Sequence, residues 1–219
     1  VGYGLRHLRE VFLPPFEAVV REAKAQSAMA AYSDWRGIPC NASRELLTEI
    51  LRDEWGFEGY VIEDMGAIIL LTLAHSVVEP TTNGATMAIE AGVDQSFGGR
   101  MSEAVLESVR AGRLAESVLD RAVARVLRAK FLLGLFEAPY VDPERTERVC
   151  DCDEHRALAR EAARQSVILL KNDGDVLPLR KNIATLAVIG PNANTVETGD
   201  YSGTNDRMVT PLDGIRGAV

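Results

Sequence analysis

One run of residues constrains this chain more than any other: Gly56-Phe57-Glu58-Gly59-Tyr60-Val61-Ile62-Glu63-Asp64-Met65-Gly66-Ala67. It opens after a glycine, passes through Tyr, Val and Ile, and stops on two adjacent carboxylates. A short apolar run of this kind reads as a buried parallel strand, which needs helices packed over the sheet. Such α/β folds keep their chemistry at the C-terminal ends of the strands. Asp64 therefore sits in a candidate active site.

Similar segments recur on either side. Ser27 to Tyr32, Tyr60 to Asp64 and Val93 to Phe97 are strand candidates, and their starts lie about 33 residues apart, the length of a βα unit in a parallel barrel or open sheet. The spacing places Tyr32, Asp64 and Asp94 or Gln95 near equivalent strand ends. Helices fill the intervals. Leu8 to Ala25 has helical spacing with a break or kink at Pro14-Pro15. Ser43 is an N-cap for Arg44 to Glu54, whose Leu46, Leu47, Ile50 and Leu51 form one stripe. Thr81 to Ala91 is closed by Gly92, and Ser102 to Ala111 follows. Glu116 to Leu133 carries a core face of Leu119, Val123, Val126, Leu127 and Phe131, with Arg121, Arg125 and Arg128 in solvent and Gly134 at its end.

From Phe136 to His155 the character changes to prolines, acids and arginines without periodicity, which reads as a linker. Beyond it, Glu161 to Leu170 is amphipathic, Leu186 to Ile189 is a short buried strand before Gly190-Pro191-Asn192, and Thr210-Pro211 forms an N-cap with proline at the first helical position. This is the opening of a second α/β domain, and about 64 residues are too few to close one.

Composition narrows the partners. With 219 residues and 47% hydrophobic content the chain can fill a core. A net charge of -8 and a pI near 5.0 repel a nucleic-acid backbone and an anionic membrane surface, so a neutral ligand fits better. Cys40, Cys150 and Cys152 form no zinc pattern and read as free thiols. No apolar run approaches the roughly 18 residues that span a bilayer. The chain begins on Val1, as if cut from something longer. Its compartment (cytoplasm, periplasm or outside the cell) and its oligomeric state stay open.

A carboxylate at a strand end can be a nucleophile, a general base, a metal ligand or a buried structural acid. Glu63 points to the opposite side of the strand, so it and Asp64 do not form a dyad. His75 and Asp94 supply no ligand spacing, and neither a metal nor a cofactor is expected. Tyr32 ends the preceding strand, where it is either a core tyrosine with its hydroxyl at the rim or a donor to a carboxylate on the next strand. Trp35 and Trp55 could stack on a sugar face, but Trp55, following a helix, fits packing better. The Gly190-Pro191-Asn192-Ala193-Asn194 loop lacks the glycine spacing and lysine of a nucleotide site.

Taken in order, Leu13-Pro14-Pro15-Phe16-Glu17, Ala31-Tyr32-Ser33, Glu54-Trp55-Gly56-Phe57-Glu58-Gly59-Tyr60-Val61, Asp64-Met65-Gly66-Ala67 and Ala91-Gly92-Val93-Asp94 resemble glycoside hydrolase family 3. So do Gly134-Leu135-Phe136, Leu169-Leu170-Lys171-Asn172, Leu177-Pro178-Leu179, Val188-Ile189-Gly190-Pro191-Asn192-Ala193 and Thr210-Pro211-Leu212-Asp213-Gly214-Ile215. The resemblance runs nearly from end to end. It implies an α/β fold: the C-terminal part of a (β/α)8-type TIM barrel over 1–135, a linker over 136–155, and the start of an α/β/α sandwich over 156–219.

What the family resemblance implies for function is an exo-acting β-glucosidase or β-xylosidase, with Asp64 as the nucleophile of a retaining hydrolysis and Tyr32 and Met65 as substrate-binding residues. The partner is then a small oligosaccharide or an aryl or alkyl β-glycoside. The resemblance also places the acid/base glutamate beyond Val219, so the isolated segment is expected to be inactive, since retaining chemistry needs two carboxyl groups roughly 5 Å apart. Two positions depart from the family pattern: Glu63 stands where Ser is common, and Met65 where an aromatic residue or Cys is common. The competing readings are a carbohydrate-binding pseudoenzyme of the same fold and a β-N-acetylglucosaminidase.

Overall fold

In the computed structural model, residues 2–79, 81–97, 101–199, 201–203 and 207–219 are described. The chain divides into two compact units, Val1–Asp142 and Pro143–Val219.

The first unit is mixed α/β and contains the core. Strand β1 (Ser27–Ala30) runs parallel to β4 (Tyr60–Glu63), with Ser27 opposite Tyr60 and Ala30 opposite Glu63. A parallel bridge from Ile62 to Gln95 adds the next segment. The expected third strand over Val93 to Phe97 is thus reduced to a single bridge, although Asp94 and Gln95 both donate from their main-chain N to the Val61 carbonyl. A small antiparallel pair, β2 (Asp34–Trp35) and β3 (Ile38–Pro39), follows β1.

Gly59 fixes how closely β4 can begin beside β1. A Cβ at this position would lie 2.2 Å from the carbonyl oxygen of Gln26 and 2.7 Å from the Phe57 ring, so only glycine allows the approach.

Helices cover one face of the pair. The chain enters through α1 (Leu5–His7), which runs into a π-type turn over Leu8–Phe12, and the proline pair then opens α2 (Pro14–Arg21). A proline needs no hydrogen-bond acceptor at the start of a helix, which explains a break there rather than a kink within one long helix. The next helix spans Glu45–Glu54 with π-type winding, and Trp55 donates to the carbonyl of Ile50 at 3.1 Å. Ser43 accepts from Leu46 N at 3.2 Å, as a capping serine should. The stripe facing inward is Leu47, Ile50 and Leu51, with Leu46 packed beside them.

Three more helices follow β4: α3 (Ala67–Leu73), α4 (Thr81–Ala91) and α5 (Met101–Arg110). The small residues Ala85, Ala88 and Ala91 let α4 lie close to its neighbours, and Val61, Leu71 and Val93 are fully buried beneath it. Each such side chain contributes about 1.5–3 kcal/mol relative to exposure. Trp35 and Trp55 are buried, which makes both packing residues. The other face of the strand pair is open, and Met29 there is 61% exposed.

Helix α6 (Glu116–Leu132) corrects the expected core face. Val118, Leu119 and Ala122 face the core, whereas Val123, Leu127 and Phe131 are exposed. Arg125, expected in solvent, reaches the carboxylate of Asp94 at 2.8 Å. Arg125 thereby joins Arg52 in pairing the buried Asp94 carboxylate.

The second unit departs further from expectation. The expected linker over 136–155 contains α7 (Pro143–Val149) and the first turn of α8 (Asp153–Ser166). Proline at the start of α7 favours helix there. The amphipathic segment over Glu161 to Leu170 leaves the helix after Ser166. Leu186 to Ile189 forms no strand, because no neighbouring strand offers a ladder among the described residues, and Ile189 is 91% exposed. Helix α9 (Pro211–Arg216) begins as anticipated: the Thr210 hydroxyl accepts from Asp213 N at 3.1 Å.

Candidate active site

Asp64 is the first residue past β4, at its C-terminal end, and is half-buried. Its main-chain N donates to Ala30 O at 3.0 Å, which extends the parallel ladder by one rung. Its carbonyl accepts from Ala67 N at 2.8 Å, and its side-chain Oδ1 accepts from Met65 N at the same distance. Gly66 takes the left-handed conformation with φ +79. That φ is easy only for glycine, and it turns the chain sharply from strand into α3.

Tyr32 lies two residues past β1 and is exposed. Its hydroxyl donates to the main-chain carbonyl of Met65, the residue after Asp64. His75 Nε2 donates to the Tyr32 carbonyl at 2.9 Å. Asn41, fully buried, donates from Nδ2 to the carbonyls of Ala30 at 3.0 Å and Ala31 at 2.9 Å. The stretch before Tyr32 is therefore braced from beneath. Met65 projects outward beside Asp64 and is 59% exposed.

The two adjacent acids part company, as alternation along a strand requires. Glu63 shares the buried, helix-facing side with Val61. Its carboxylate accepts from Ile68 N at 2.8 Å, from the Ser96 hydroxyl, and from Phe97 N at 3.2 Å.

Of Asp94 and Gln95, one of which was expected at a strand end equivalent to those of Tyr32 and Asp64, Gln95 bridges to Ile62, whereas Asp94 belongs elsewhere. Its side chain is 1% exposed, bonded to Arg52 at 2.5 Å and Arg125 at 2.8 Å, and it accepts from Val61 N at 2.8 Å. Burial holds the Arg52 guanidinium below the usual arginine range, with the Asp94 charge acting in the opposite direction. This is a structural ion cluster at the start of β4. A recess of about 420 Å³ beside it is lined by Arg44, Arg52, Arg121 and Arg125 and does not include Asp64.

Other chemistry near the site is sparse. Cys40 stands near Ser33, and burial pushes its thiol above the usual range. Cys40, Cys150 and Cys152 are all free thiols. No cluster of His, Cys, Asp and Glu suited to a metal occurs among the described residues. Sequence reasoning missed Asn41, His75 and Ser96. A buried asparagine after Pro39-Cys40 has no periodicity to announce it, and His75 meets Tyr32 only through the fold.

An acid at the C-terminal end of a parallel strand, held by the turn after it, stands where α/β folds keep their chemistry. The model of the glycosyl hydrolase family 3 N-terminal domain matches residues 2–129, and that of the family 3 C-terminal domain matches residues 167–219. The chain belongs to glycosyl hydrolase family 3. The family 3 N-terminal domain is a TIM-barrel-type fold, in keeping with the mixed α/β architecture of the first unit.

Among family 3 relatives, a β-xylosidase of Formosa agariphila is 40% identical over 98% of this chain and 32% of its own length. A solved β-glucosidase of Erythrobacter marinus superposes with a TM-score of 0.86 at 38% identity, covering 94% of this chain and 27% of that one. The β-glucosidase of Listeria innocua in complex with glucose gives 0.87 at 32% identity, covering 99% of this chain and 30% of that one. This chain thus spans less than a third of the length of these relatives.

Proposed function

We propose that this segment carries the nucleophile of a retaining, exo-acting β-glycosidase that removes terminal β-D-glucosyl or β-D-xylosyl residues. The observation that carries the reading is the Asp64 carboxylate at the end of β4, with Oδ1 fixed by Met65 N at 2.8 Å. Its membership of a family whose relatives include β-xylosidases and β-glucosidases supports the substrate class.

With Oδ1 engaged, attack falls to Oδ2. A lone pair of Oδ2 forms a bond to the anomeric carbon while the glycosidic C–O bond breaks, and that electron pair passes to the leaving oxygen. A general acid outside this segment protonates the leaving oxygen. Water, giving its proton to the conjugate base of that general acid, then attacks the anomeric carbon and breaks its bond to Oδ2, which returns Asp64 to the carboxylate form and preserves the anomeric configuration. Tyr32 holds Met65, and through it the turn that aims Asp64. Met65 itself lies beside the carboxylate as a flexible apolar surface for the sugar or the aglycone.

In the same reading, residues 1–135 are the C-terminal part of a (β/α)8-type barrel, 136–155 connect the domains, and 156–219 begin an α/β/α sandwich. The exposed Met29 face of β1 supports this, because in a closed barrel it would face the interior. The test is hydrolysis of 4-nitrophenyl β-D-glucoside, β-D-xyloside and N-acetyl-β-D-glucosaminide by the intact protein. Turnover of the glucoside or xyloside is expected; hydrolysis of the N-acetylglucosaminide alone, or of none, contradicts the assignment.

A further inference from the structure

The reaction as proposed makes no use of Glu63, yet this carboxylate is 3% exposed and lies one residue before Asp64. Burying a carboxylate is unfavourable unless its lone pairs are met by donors. Here they are met by donors from two different elements. Oε2 accepts from Ile68 N at 2.8 Å, in the first turn of α3. Oε1 accepts from the Ser96 hydroxyl and from Phe97 N at 3.2 Å, just past the bridge at Gln95.

The bond from Glu63 to Ile68 spans Asp64, Met65, Gly66 and Ala67. Inside that span Asp64 N is tied to Ala30 O and Ala67 N to Asp64 O. A four-residue connection pinned at both ends and in its middle leaves Asp64 little freedom to move. The bonds to Ser96 and Phe97 add a lateral anchor in the neighbouring parallel segment. For a nucleophile, a misplacement of about 1 Å costs about 100-fold in rate.

We propose that Glu63 is a positioning residue for Asp64: its buried carboxylate sets the place of the Asp64 turn by clamping α3 and the Ser96–Phe97 segment to the end of β4. The inference rests on the reading of Asp64 as the nucleophile.

In the intact protein, Glu63→Gln keeps the shape but turns one acceptor into an NH2 group, so either Ile68 N or Phe97 N faces a donor and that main-chain pin is lost, while the Ser96 hydroxyl can turn to accept. Steady-state hydrolysis and the rate of covalent trapping by a 2-fluoro glycoside are measured beside Ser96→Ala and Asp64→Ala. The expected result is a fall of about 10- to 100-fold in kcat and in trapping rate for Glu63→Gln. KM should stay within about twofold and kcat should fall by more than the loss in Tm accounts for, with Ser96→Ala shifted the same way by less. Parental kcat in both variants, while Asp64→Ala is inactive, overturns the role of Glu63 alone, as does a loss of kcat only in step with Tm. Should Glu63→Gln fail to fold, Ser96→Ala decides by the same criteria. Turnover by Asp64→Ala overturns the nucleophile reading and this one with it.

Discussion

The hydroxyl of Tyr32 donates to the main-chain carbonyl of Met65, latching the segment after β1 onto the turn that follows Asp64. Two loops from successive βα units thus meet at one hydrogen bond, next to the acid they frame. Removing the hydroxyl in Tyr32→Phe leaves the ring in place and frees the carbonyl. The expected outcome is a fall of about tenfold in kcat, with a Tm close to the parent, since a net hydrogen bond at an exposed position contributes only about 1 kcal/mol. Unchanged kcat would mean that the latch does not help hold the turn.

At the start of β4, Asp94 serves stability. Its carboxylate, bonded to Arg52 at 2.5 Å and Arg125 at 2.8 Å, is inaccessible to water. Asp94→Ala leaves the Arg52 guanidinium buried without its counter-ion, which costs about 3–5 kcal/mol. Denaturant titration of the intact protein should show the loss as a lower midpoint. Arg125→Ala should cost less, because that side chain is 28% exposed. An Asp94→Ala midpoint equal to the parent would contradict the structural role.

Gly59→Ala tests the strand pairing itself. The added Cβ would meet the Gln26 carbonyl oxygen at 2.2 Å, so backbone must shift. Overpacking of this sort costs about 1–3 kcal/mol. Thermal unfolding should register the cost as a lower Tm, and an unaltered Tm would show that β1 and β4 start farther apart than described.

How much of this could be read from sequence depends on the range of the interaction. Thr81–Ala91, the Ser43 and Thr210 caps, and the strand starts at Ser27 and Tyr60 were all legible, because periodicity, capping chemistry and unit length are local signals. The rotation of α6 was not, since Val123, Leu127 and Phe131 form as good a stripe as the face that turned inward. The face that turned inward brings Arg125 to Asp94, a contact between distant parts of the chain that no local pattern announces. For the same reason Asp64 and Tyr32 could be singled out as strand-end residues, while the bonds of Tyr32 to Met65 and of His75 to Tyr32 could not be foreseen.

Cysteine reactivity gives a check on burial. Because burial raises the Cys40 thiol above its usual range, less thiolate is present at any given pH. Alkylation of Cys40 should be slow at pH 7 and accelerate only above the ordinary thiol range, as followed by mass spectrometry. In the matching linkage, stability from the buried neutral thiol is fully present below its unfolded pKa and is lost as pH rises through the raised folded value. Fast modification at pH 7 would contradict the burial of Cys40.

Incubating the intact protein with a 2-fluoro β-glucoside or β-xyloside and mapping the adduct by peptide mass spectrometry identifies the residue that forms the covalent intermediate. A glycosyl ester on Asp64 is expected, with neither adduct nor turnover in Asp64→Ala. An adduct on another residue, or hydrolysis surviving in Asp64→Ala, would overturn the role of Asp64 as nucleophile.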